Sequence, residues 1–170
     1  MRKIVITGPE SSGKSSLAQA LAKHYDAPSV PEYARTYLEQ LGRPYEEEDL
    51  LNIARGQLEW EKNYALNANG WLILDTSLVV IKIWSEYKYG QCHPFILEKL
   101  KSSTYDLFLL CRPDIPWVFD PLRENPLDRE ALFTLYQKEL QALGYPYVEI
   151  NGHGEERLTK ALTALYDLTL

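Results

Sequence analysis

The chain has 170 residues, of which 45% are hydrophobic and 25% charged, a composition typical of one globular domain over residues 1–170. Eighteen Lys and Arg against 24 Asp and Glu give a net charge of −6, the wrong sign for a protein that binds nucleic acid through its phosphates. The longest apolar runs are far short of the roughly 20 residues that span a bilayer, and the apolar start stops at Thr7-Gly8, too early for a signal peptide. We therefore expect a cytoplasmic protein whose partners are small molecules, not nucleic acid or membrane.

Short apolar runs alternate with amphipathic stretches along the chain, which predicts parallel strands joined by helical crossovers. The predicted strands are Lys3 to Thr7, a short piece at Ser29 and Val30, Trp71 to Leu74 closed by Asp75, Tyr105 to Cys111, and Tyr147 to Ile150. Helical spacing predicts helices after Gly13, after Glu32, from Glu46 to about Ala68, from Ser77 to Tyr87, from Pro126 to Gly144, and after Gly154. The expected fold class is α/β, with a parallel five-stranded sheet flanked by helices on both faces.

Residues 8–15 read Gly-Pro-Glu-Ser-Ser-Gly-Lys-Ser and match the pattern G-x-x-x-x-G-K-[ST] in full. The glycines let the backbone curl so that its N–H groups point at a phosphate, and the following helix presents its positive N-terminus to the same charge. Lys14 would reach the β- and γ-phosphate oxygens, and the Ser15 hydroxyl would bind Mg²⁺. The expected nucleotide contacts are Gly8, Glu10, Ser11, Ser12, Gly13, Lys14, Ser15 and Ser16. The motif predicts a P-loop fold that binds ATP and Mg²⁺.

A phosphate-binding loop is shared by GTPases, motor ATPases and small-molecule kinases, so other features must choose among them. The Asn/Thr-Lys-x-Asp string that recognises guanine is absent, and 170 residues leave no room for motor machinery. A small kinase is therefore favoured. A P-loop ATPase or regulatory module that has no small-molecule acceptor stays open as an alternative.

Two carboxylates end predicted strands beside this loop. Glu32 and Asp75 follow the second and third strands, and ligands bind outside the carboxyl ends of the strands in open α/β sheets. Both residues are expected to be catalytic, Glu32 near the acceptor hydroxyl and Asp75 near Mg²⁺. The alternative roles are an acid at a helix start for Glu32 and a helix N-cap for Asp75.

A proline-rich stretch after Cys111 carries Arg123 and is followed by Arg129, which predicts a mobile lid. The two guanidinium groups would neutralise the transferring phosphoryl group. Four aromatic residues fall near the predicted mouth and could stack on a flat ring, with core packing as the alternative for each: Tyr33, Trp84, Tyr87 and Trp117. Neither the two cysteines nor the three histidines show metal-ligand spacing.

Several segments together resemble the ribosylnicotinamide kinase domain of the bacterial bifunctional NAD-biosynthesis regulators. They are the loop Gly8 to Ser15, the string Pro31-Glu32-Tyr33-Ala34-Arg35, Asp75-Thr76, and Pro113 to Trp117 with Asp120 to Arg123. The resemblance spans nearly the whole chain and implies a P-loop kinase that phosphorylates the 5′-hydroxyl of nicotinamide riboside with ATP and Mg²⁺. A kinase for another nucleoside or for a nucleoside monophosphate is the alternative within enzymes.

The same resemblance implies roles for individual residues. Glu32 and Arg35 would contact the ribose, Arg123 and Arg129 would belong to the lid, and the turn Asn151-Gly152 would lie by the adenine. The regulators also carry an N-terminal adenylyltransferase domain, whereas this chain begins at the kinase strand. We therefore expect the kinase activity alone.

Overall fold

A parallel sheet of five strands lies at the centre of the molecule in the computed structural model, which describes residues 1–166 and 168. The strands are β1 (Arg2–Thr7), β2 (Ser29–Val30), β3 (Trp71–Asp75), β4 (Leu107–Cys111) and β5 (Tyr147–Ile150). Their order across the sheet is β2-β3-β1-β4-β5, and all four pairings are parallel. The predicted α/β class and the parallel five-stranded sheet are confirmed.

Helices cover both faces of this sheet. They are α1 (Lys14–Tyr25), α2 (Tyr33–Leu41), α3 (Glu47–Ala65), α4 (Leu78–Tyr89), α5 (Pro94–Ser102), α6 (Arg129–Leu143) and α7 (Glu155–Tyr166). Helices α1 and α7 pack on one face, and α2 to α6 pack on the other. Because both faces are covered, the central strands are continuously apolar instead of alternating. Within the described part of the chain, no helix has the length and hydrophobicity needed to cross a membrane.

Two helices differ from the sequence prediction. Helix α5 is not predicted, although Pro94 opens it and the His93 ring nitrogen accepts a hydrogen bond from the Phe95 N–H at 3.1 Å. Helix α6 begins at Arg129 and not at Pro126, because residues 121–127 are irregular and Asp128 occupies the N-cap position, where its side chain makes no capping hydrogen bond. The other predicted helices differ from the structure only at their ends.

The carboxyl edge of the sheet brings the P-loop next to β4. Gly8, directly after β1, has φ +136°, and a Cβ atom there would lie 2.5 Å from the Cys111 carbonyl oxygen. Glycine is therefore required at position 8 by both backbone conformation and space. This close approach fixes the P-loop at the edge where β3 and β4 also end.

Candidate nucleotide and acceptor site

The P-loop adopts a curled backbone before α1. Ser11 and Gly13 have positive φ angles of 53° and 79°. The Ser12 hydroxyl and the Lys14 ammonium both donate hydrogen bonds to the Pro9 carbonyl oxygen, at 2.7 and 2.8 Å. The Lys14 ammonium thus lies across the loop, where a bound phosphate would replace the carbonyl as its partner.

Asp75 lies beneath this loop at the end of β3 and is buried. Burial raises the pKa of its carboxyl, which the Ser15 hydroxyl, Lys14 and Arg35 counteract. Ser77 and not Asp75 caps α4, since the Ser77 hydroxyl accepts a hydrogen bond from the Val79 N–H at 3.4 Å. The alternative role of Asp75 as a helix cap is therefore wrong.

The surroundings of Asp75 fit a divalent cation. Its Oδ1 atom is buried and has no hydrogen-bond partner within residues 1–166 and 168, and the Ser15 hydroxyl lies close enough to affect the carboxyl. The part of the chain that is described holds no cluster of three or more His, Cys, Asp or Glu that could bind a metal ion. Mg²⁺ commonly takes one or two protein ligands and completes its shell with waters and phosphate oxygens, which agrees with this sparse set.

Glu32 precedes α2 and points toward the same charges. It occupies the N-cap position, but its side chain makes no capping hydrogen bond, so a capping role does not explain it. Burial raises the pKa of the Glu32 carboxyl and Asp75 raises it further, while Lys14 and Arg35 lower it. The structure thus places Glu32, Asp75 and Lys14 within one electrostatic cluster, as the sequence predicts.

Two adjoining clefts open above this cluster. The main cleft contains the whole predicted nucleotide loop together with Glu32, Arg35, Trp84, Arg123 and Tyr136. The side cleft is lined by Tyr45, Tyr87, Lys88, Glu124 and Asn125. The two clefts share four wall residues, Glu10, Leu38, Trp84 and Leu122, and therefore form one continuous depression.

The predicted aromatic residues divide between cleft and core. Trp84 lines both clefts and Tyr87 lines the side cleft. Tyr33 instead packs on α3, where its ring meets Trp60 edge-to-face at 4.9 Å and covers Gly56 so closely that a Cβ atom there would overlap the ring. The expectation of a substrate contact for Tyr33 is replaced by this packing role.

Trp117 is not among the residues that line the two clefts, and its ring lies near two lid cations. The guanidinium groups of Arg123 and Arg129 are 5.9 and 5.8 Å from its centroid. These distances fit cation–π contacts, in which the ring organises the arginines. Its position therefore favours a role in the lid over the predicted stacking on substrate.

The lid, residues 112–128, is attached to the P-loop by side chains of the loop itself. Both carboxylate oxygens of Glu10 accept hydrogen bonds from the Glu124 N–H, at 3.1 and 3.2 Å, and one also accepts from the Asn125 N–H at 2.9 Å. The Ser11 hydroxyl accepts a hydrogen bond from the Val118 N–H at 2.9 Å. Glu10 and Ser11, predicted as nucleotide contacts, thus also connect loop and lid.

The two predicted lid arginines have different positions. Arg123 lines the main cleft and donates a hydrogen bond to the Val118 carbonyl. Arg129 begins α6 and donates to the carbonyl oxygens of Ser11 at 3.1 Å and Ile115 at 3.0 Å. Arg123 therefore faces the cleft that the P-loop lines, whereas Arg129 connects the lid to the P-loop.

On the opposite side of the loop, a buried arginine that the sequence analysis does not single out joins three segments. Arg157 of α7 donates hydrogen bonds to the carbonyl oxygens of Ser12 at 2.6 Å, Gly152 at 2.8 Å and Arg112 at 2.9 Å, and it pairs with Asp114. These contacts hold the turn Asn151-Gly152 beside the P-loop, and this is the turn that the family resemblance places next to the adenine. Helical spacing places Arg157 on the same face of α7 as buried apolar residues, and this spacing is the one sequence feature that indicates its burial.

Tyr136, Tyr45 and Lys88 also line the clefts, although no sequence motif marks them. The Lys88 ammonium lies 3.6 Å from the Tyr45 ring centroid, and the Tyr45 and Trp84 rings are 6.5 Å apart with an interplanar angle of 27°. Only the folded chain brings these residues together, since they come from different elements.

Comparison with known proteins gives one family and a consistent set of relatives. The model of the family described as AAA domain matches residues 3–157. The trifunctional NAD biosynthesis/regulator protein NadR of Salmonella typhimurium (strain LT2) is 29% identical over 158 residues, which cover 88% of this chain and 38% of that protein. The chain therefore spans about two fifths of the length of this relative.

Solved structures agree on the fold. A crystal structure of NadR protein in complex with NR has a TM-score of 0.86 at 21% identity, covering 98% of this chain and 51% of that one. A crystal structure of NadR protein in complex with NAD and AMP-PNP has a TM-score of 0.81 at 22% identity, covering 98% and 49%. The predicted P-loop fold and the predicted resemblance to the NAD-biosynthesis regulators are both confirmed.

Proposed function

The chain belongs to the AAA domain family, and within that family we propose that it is an ATP-dependent kinase that phosphorylates the 5′-hydroxyl of nicotinamide riboside to give nicotinamide mononucleotide. One observation carries the proposal: a phosphate-binding loop, the carboxylate of Glu32 and an aromatic wall line one depression, and the buried Asp75 lies beside that loop. The similarity to NadR proteins, one of them crystallised with NR, supports this choice of acceptor.

The donor side follows from the loop. The curled P-loop backbone and Lys14 would bind the β- and γ-phosphates of ATP, and the turn at Asn151-Gly152 would lie toward the adenine. Ser15 and Asp75 would hold Mg²⁺ through the hydroxyl and the unpartnered carboxylate oxygen. When bound, Mg²⁺ neutralises charge on the phosphate oxygens. Arg123 enters from the lid and stabilises charge that develops during transfer.

The acceptor side depends on Glu32. Its carboxylate can accept a hydrogen bond from the 5′-hydroxyl and orient that oxygen toward the γ-phosphate, and such positioning contributes much of the catalysis in phosphoryl transfer. Burial raises the pKa of Glu32, so protonation begins at a higher pH than for an ordinary carboxyl group. We expect kcat/KM for the acceptor to fall as the pH is lowered through this raised pKa.

A cationic base is favoured by the side cleft. The face of the Tyr45 ring already holds the Lys88 ammonium, and Glu124 lies within 3.6 Å of the same ammonium. This environment suits a positive charge, and a pyridinium ring could take the place of the ammonium between Tyr45 and Trp84. Neutral pyrimidine nucleosides would gain the stacking without the cation–π attraction.

A coupled ADP-release assay tests the function directly. Nicotinamide riboside, uridine, cytidine and the nucleoside monophosphates are compared as acceptors with ATP and Mg²⁺. Nicotinamide riboside is expected to give the highest kcat/KM. Faster turnover with another nucleoside or with a monophosphate would keep the kinase and reject this acceptor, and ATP hydrolysis indifferent to every acceptor would indicate a regulatory ATPase.

Glu32→Gln tests the acceptor side, with Glu59→Gln on the exposed side of α3 as the matched control. The amide cannot accept the hydroxyl proton, so kcat/KM for the acceptor should fall about 100-fold at neutral pH, and the low-pH decline should disappear. The control should behave as the wild type. Full activity of Glu32→Gln would make Asp75 the leading candidate for contact with the acceptor.

A further inference from the structure

Tyr136 is a buried residue of α6 that reaches the main cleft. Its ring belongs to the core, with 3% of the residue exposed, yet the side chain forms part of the cleft wall beside Glu32 and Trp84. The ring is therefore fixed by packing, and only its polar end can meet a ligand. A rigid buried phenol at a ligand cleft has the precision that a specificity-determining group needs.

The hydroxyl of Tyr136 differs from those of comparable tyrosines. Tyr105 donates to Glu61, and Tyr145 donates to two backbone carbonyls, whereas within residues 1–166 and 168 the Tyr136 hydroxyl has no protein hydrogen-bond partner. Because the hydroxyl oxygen keeps some accessible surface, water or a ligand group can serve as its partner. The cleft is the direction from which such a partner can come.

Two carboxylates, those of Glu32 and Glu10, lie near enough to this hydroxyl to affect it, and both line the same cleft. Burial raises the pKa of the Tyr136 phenol, and the charges of Glu32 and Glu10 raise it further, so the group remains a protonated donor. A sugar hydroxyl between the phenol and a carboxylate could accept a hydrogen bond from the former and donate one to the latter. Only a ligand group with both capacities satisfies both partners, and an alcohol has them.

We infer that Tyr136 is a specificity-determining residue that binds the 2′- or 3′-hydroxyl of the acceptor ribose, with Glu10, or the Glu32 oxygen that does not hold the 5′-hydroxyl, accepting the hydrogen of that same hydroxyl. This inference rests on the proposed function and deepens it, because it makes the sugar, and not only the base, a recognised part of the substrate. A site built to bind a hydroxyl rejects an analogue that lacks it, since its buried polar groups are then left unpaired.

Tyr136→Phe tests this by removing one oxygen atom while keeping the packed ring. Tyr145→Phe is the matched control, because its hydroxyl bonds the Leu100 and Ser103 carbonyls and takes no part in either cleft. The acceptors are the best nucleoside from the ADP-release screen and its 2′-deoxy and 3′-deoxy forms. We expect Tyr136→Phe to lower kcat/KM for the riboside about 10-fold, mainly through the acceptor KM, with the KM for ATP unchanged.

The deoxy acceptors distinguish recognition from structural damage. For the deoxy form that lacks the contacted hydroxyl, wild type and Tyr136→Phe should have equal kcat/KM. An equal loss on all three acceptors, or no loss on the riboside, would overturn the inference.

Failure of the proposed function gives a different pattern. If the wild type transfers phosphate to no acceptor, calorimetric binding constants replace kcat/KM in the same comparison. Riboside binding that Tyr136→Phe weakens would then support the inference without the kinase. Absence of riboside binding to the wild type would overturn both.

Discussion

The two edges of the sheet each hold a buried carboxylate, and the two differ in how the protein satisfies it. At the amino edge, Glu61 of α3 accepts hydrogen bonds from the Tyr105 hydroxyl at both oxygens, at 3.2 and 3.4 Å. At the carboxyl edge, Asp75 Oδ1 and the neighbouring Thr7 hydroxyl are both buried and find no hydrogen-bond partner among the residues that the structure describes. Thr76, directly after Asp75, also has a positive φ of 75°, a conformation that is rare for a β-branched residue.

This difference shows that burial of a carboxylate does not by itself identify a ligand site, whereas a buried carboxylate oxygen without a hydrogen-bond partner indicates one. Unpartnered polar atoms and backbone strain accumulate at the carboxyl edge, where the P-loop begins, and such features persist where a ligand or a metal completes the structure. The amino edge is complete without a ligand. Mutations at the carboxyl edge should therefore change activity, and mutations at the amino edge should change stability.

The largest effect is expected for Lys14→Ala. Its ammonium donates a hydrogen bond to the Pro9 carbonyl of the loop and is not part of the apolar core, so activity should fall roughly a thousandfold while the fold is kept. ADP release gives the activity and thermal unfolding gives the stability. Lys23→Ala, on the exposed side of the same helix, should leave both unchanged, and near-normal turnover of Lys14→Ala would reject the P-loop assignment.

Asp75→Asn should rank second, with activity reduced roughly a hundredfold and a raised requirement for Mg²⁺. The amide keeps the shape and loses the charge that the unpartnered Oδ1 atom would offer to the cation. Titration of ADP release with Mg²⁺ measures the change. Asp106→Asn is the control at the amino edge, where Asp106 accepts a hydrogen bond from the Lys3 N–H, and there the dependence on Mg²⁺ should stay at the wild-type level.

Arg123→Ala should lower kcat about tenfold and the KM for ATP little, because a lid cation that meets charge as it develops acts on the transition state. Arg129→Ala should also lower kcat, here because the bracing hydrogen bonds to Ser11 and Ile115 are lost. Steady-state kinetics for ATP separate kcat from KM, with Arg2→Ala as the control. A change confined to KM in both variants would make the arginines ground-state clamps or bystanders.

The same contrast explains what could be predicted from the sequence. The strands, the P-loop and both strand-end carboxylates follow from local patterns: apolar runs, one eight-residue motif and the position of Glu32 and Asp75 after strands. Tyr136 and Arg157 could not be recognised as site residues, because each occupies a regular helical position and gains its role from distant segments. Tyr33 is the opposite case. Its position next to Glu32 in the sequence suggests a substrate contact, but the sequence does not reveal that its ring packs on Gly56.

The smallest effect on activity is expected for Glu61→Gln. This variant tests the expectation that mutations at the amino edge change the stability of the fold. Burial raises the pKa of Glu61 from its usual 4.5 to about 7, against the lowering influences of Lys3 and the Tyr105 hydroxyl. The folded state therefore holds this proton more tightly than the unfolded chain. The stability that this proton contributes is fully present below the unfolded pKa and is lost as the pH rises through about 7.

The free energy of unfolding of the wild type should thus decline between acidic pH and pH 8 by an amount on the order of 3 kcal/mol. Glu61→Gln lacks the titrating carboxyl and should not show this decline. Thermal unfolding from pH 5 to pH 8 measures this. Glu61→Gln should unfold several degrees above the wild type at pH 8, and this advantage should shrink at pH 5, with kcat within about twofold throughout. A variant whose advantage does not depend on pH would show that Glu61 is charged in the folded state, and a variant with strongly reduced kcat would show that the amino edge also serves the reaction.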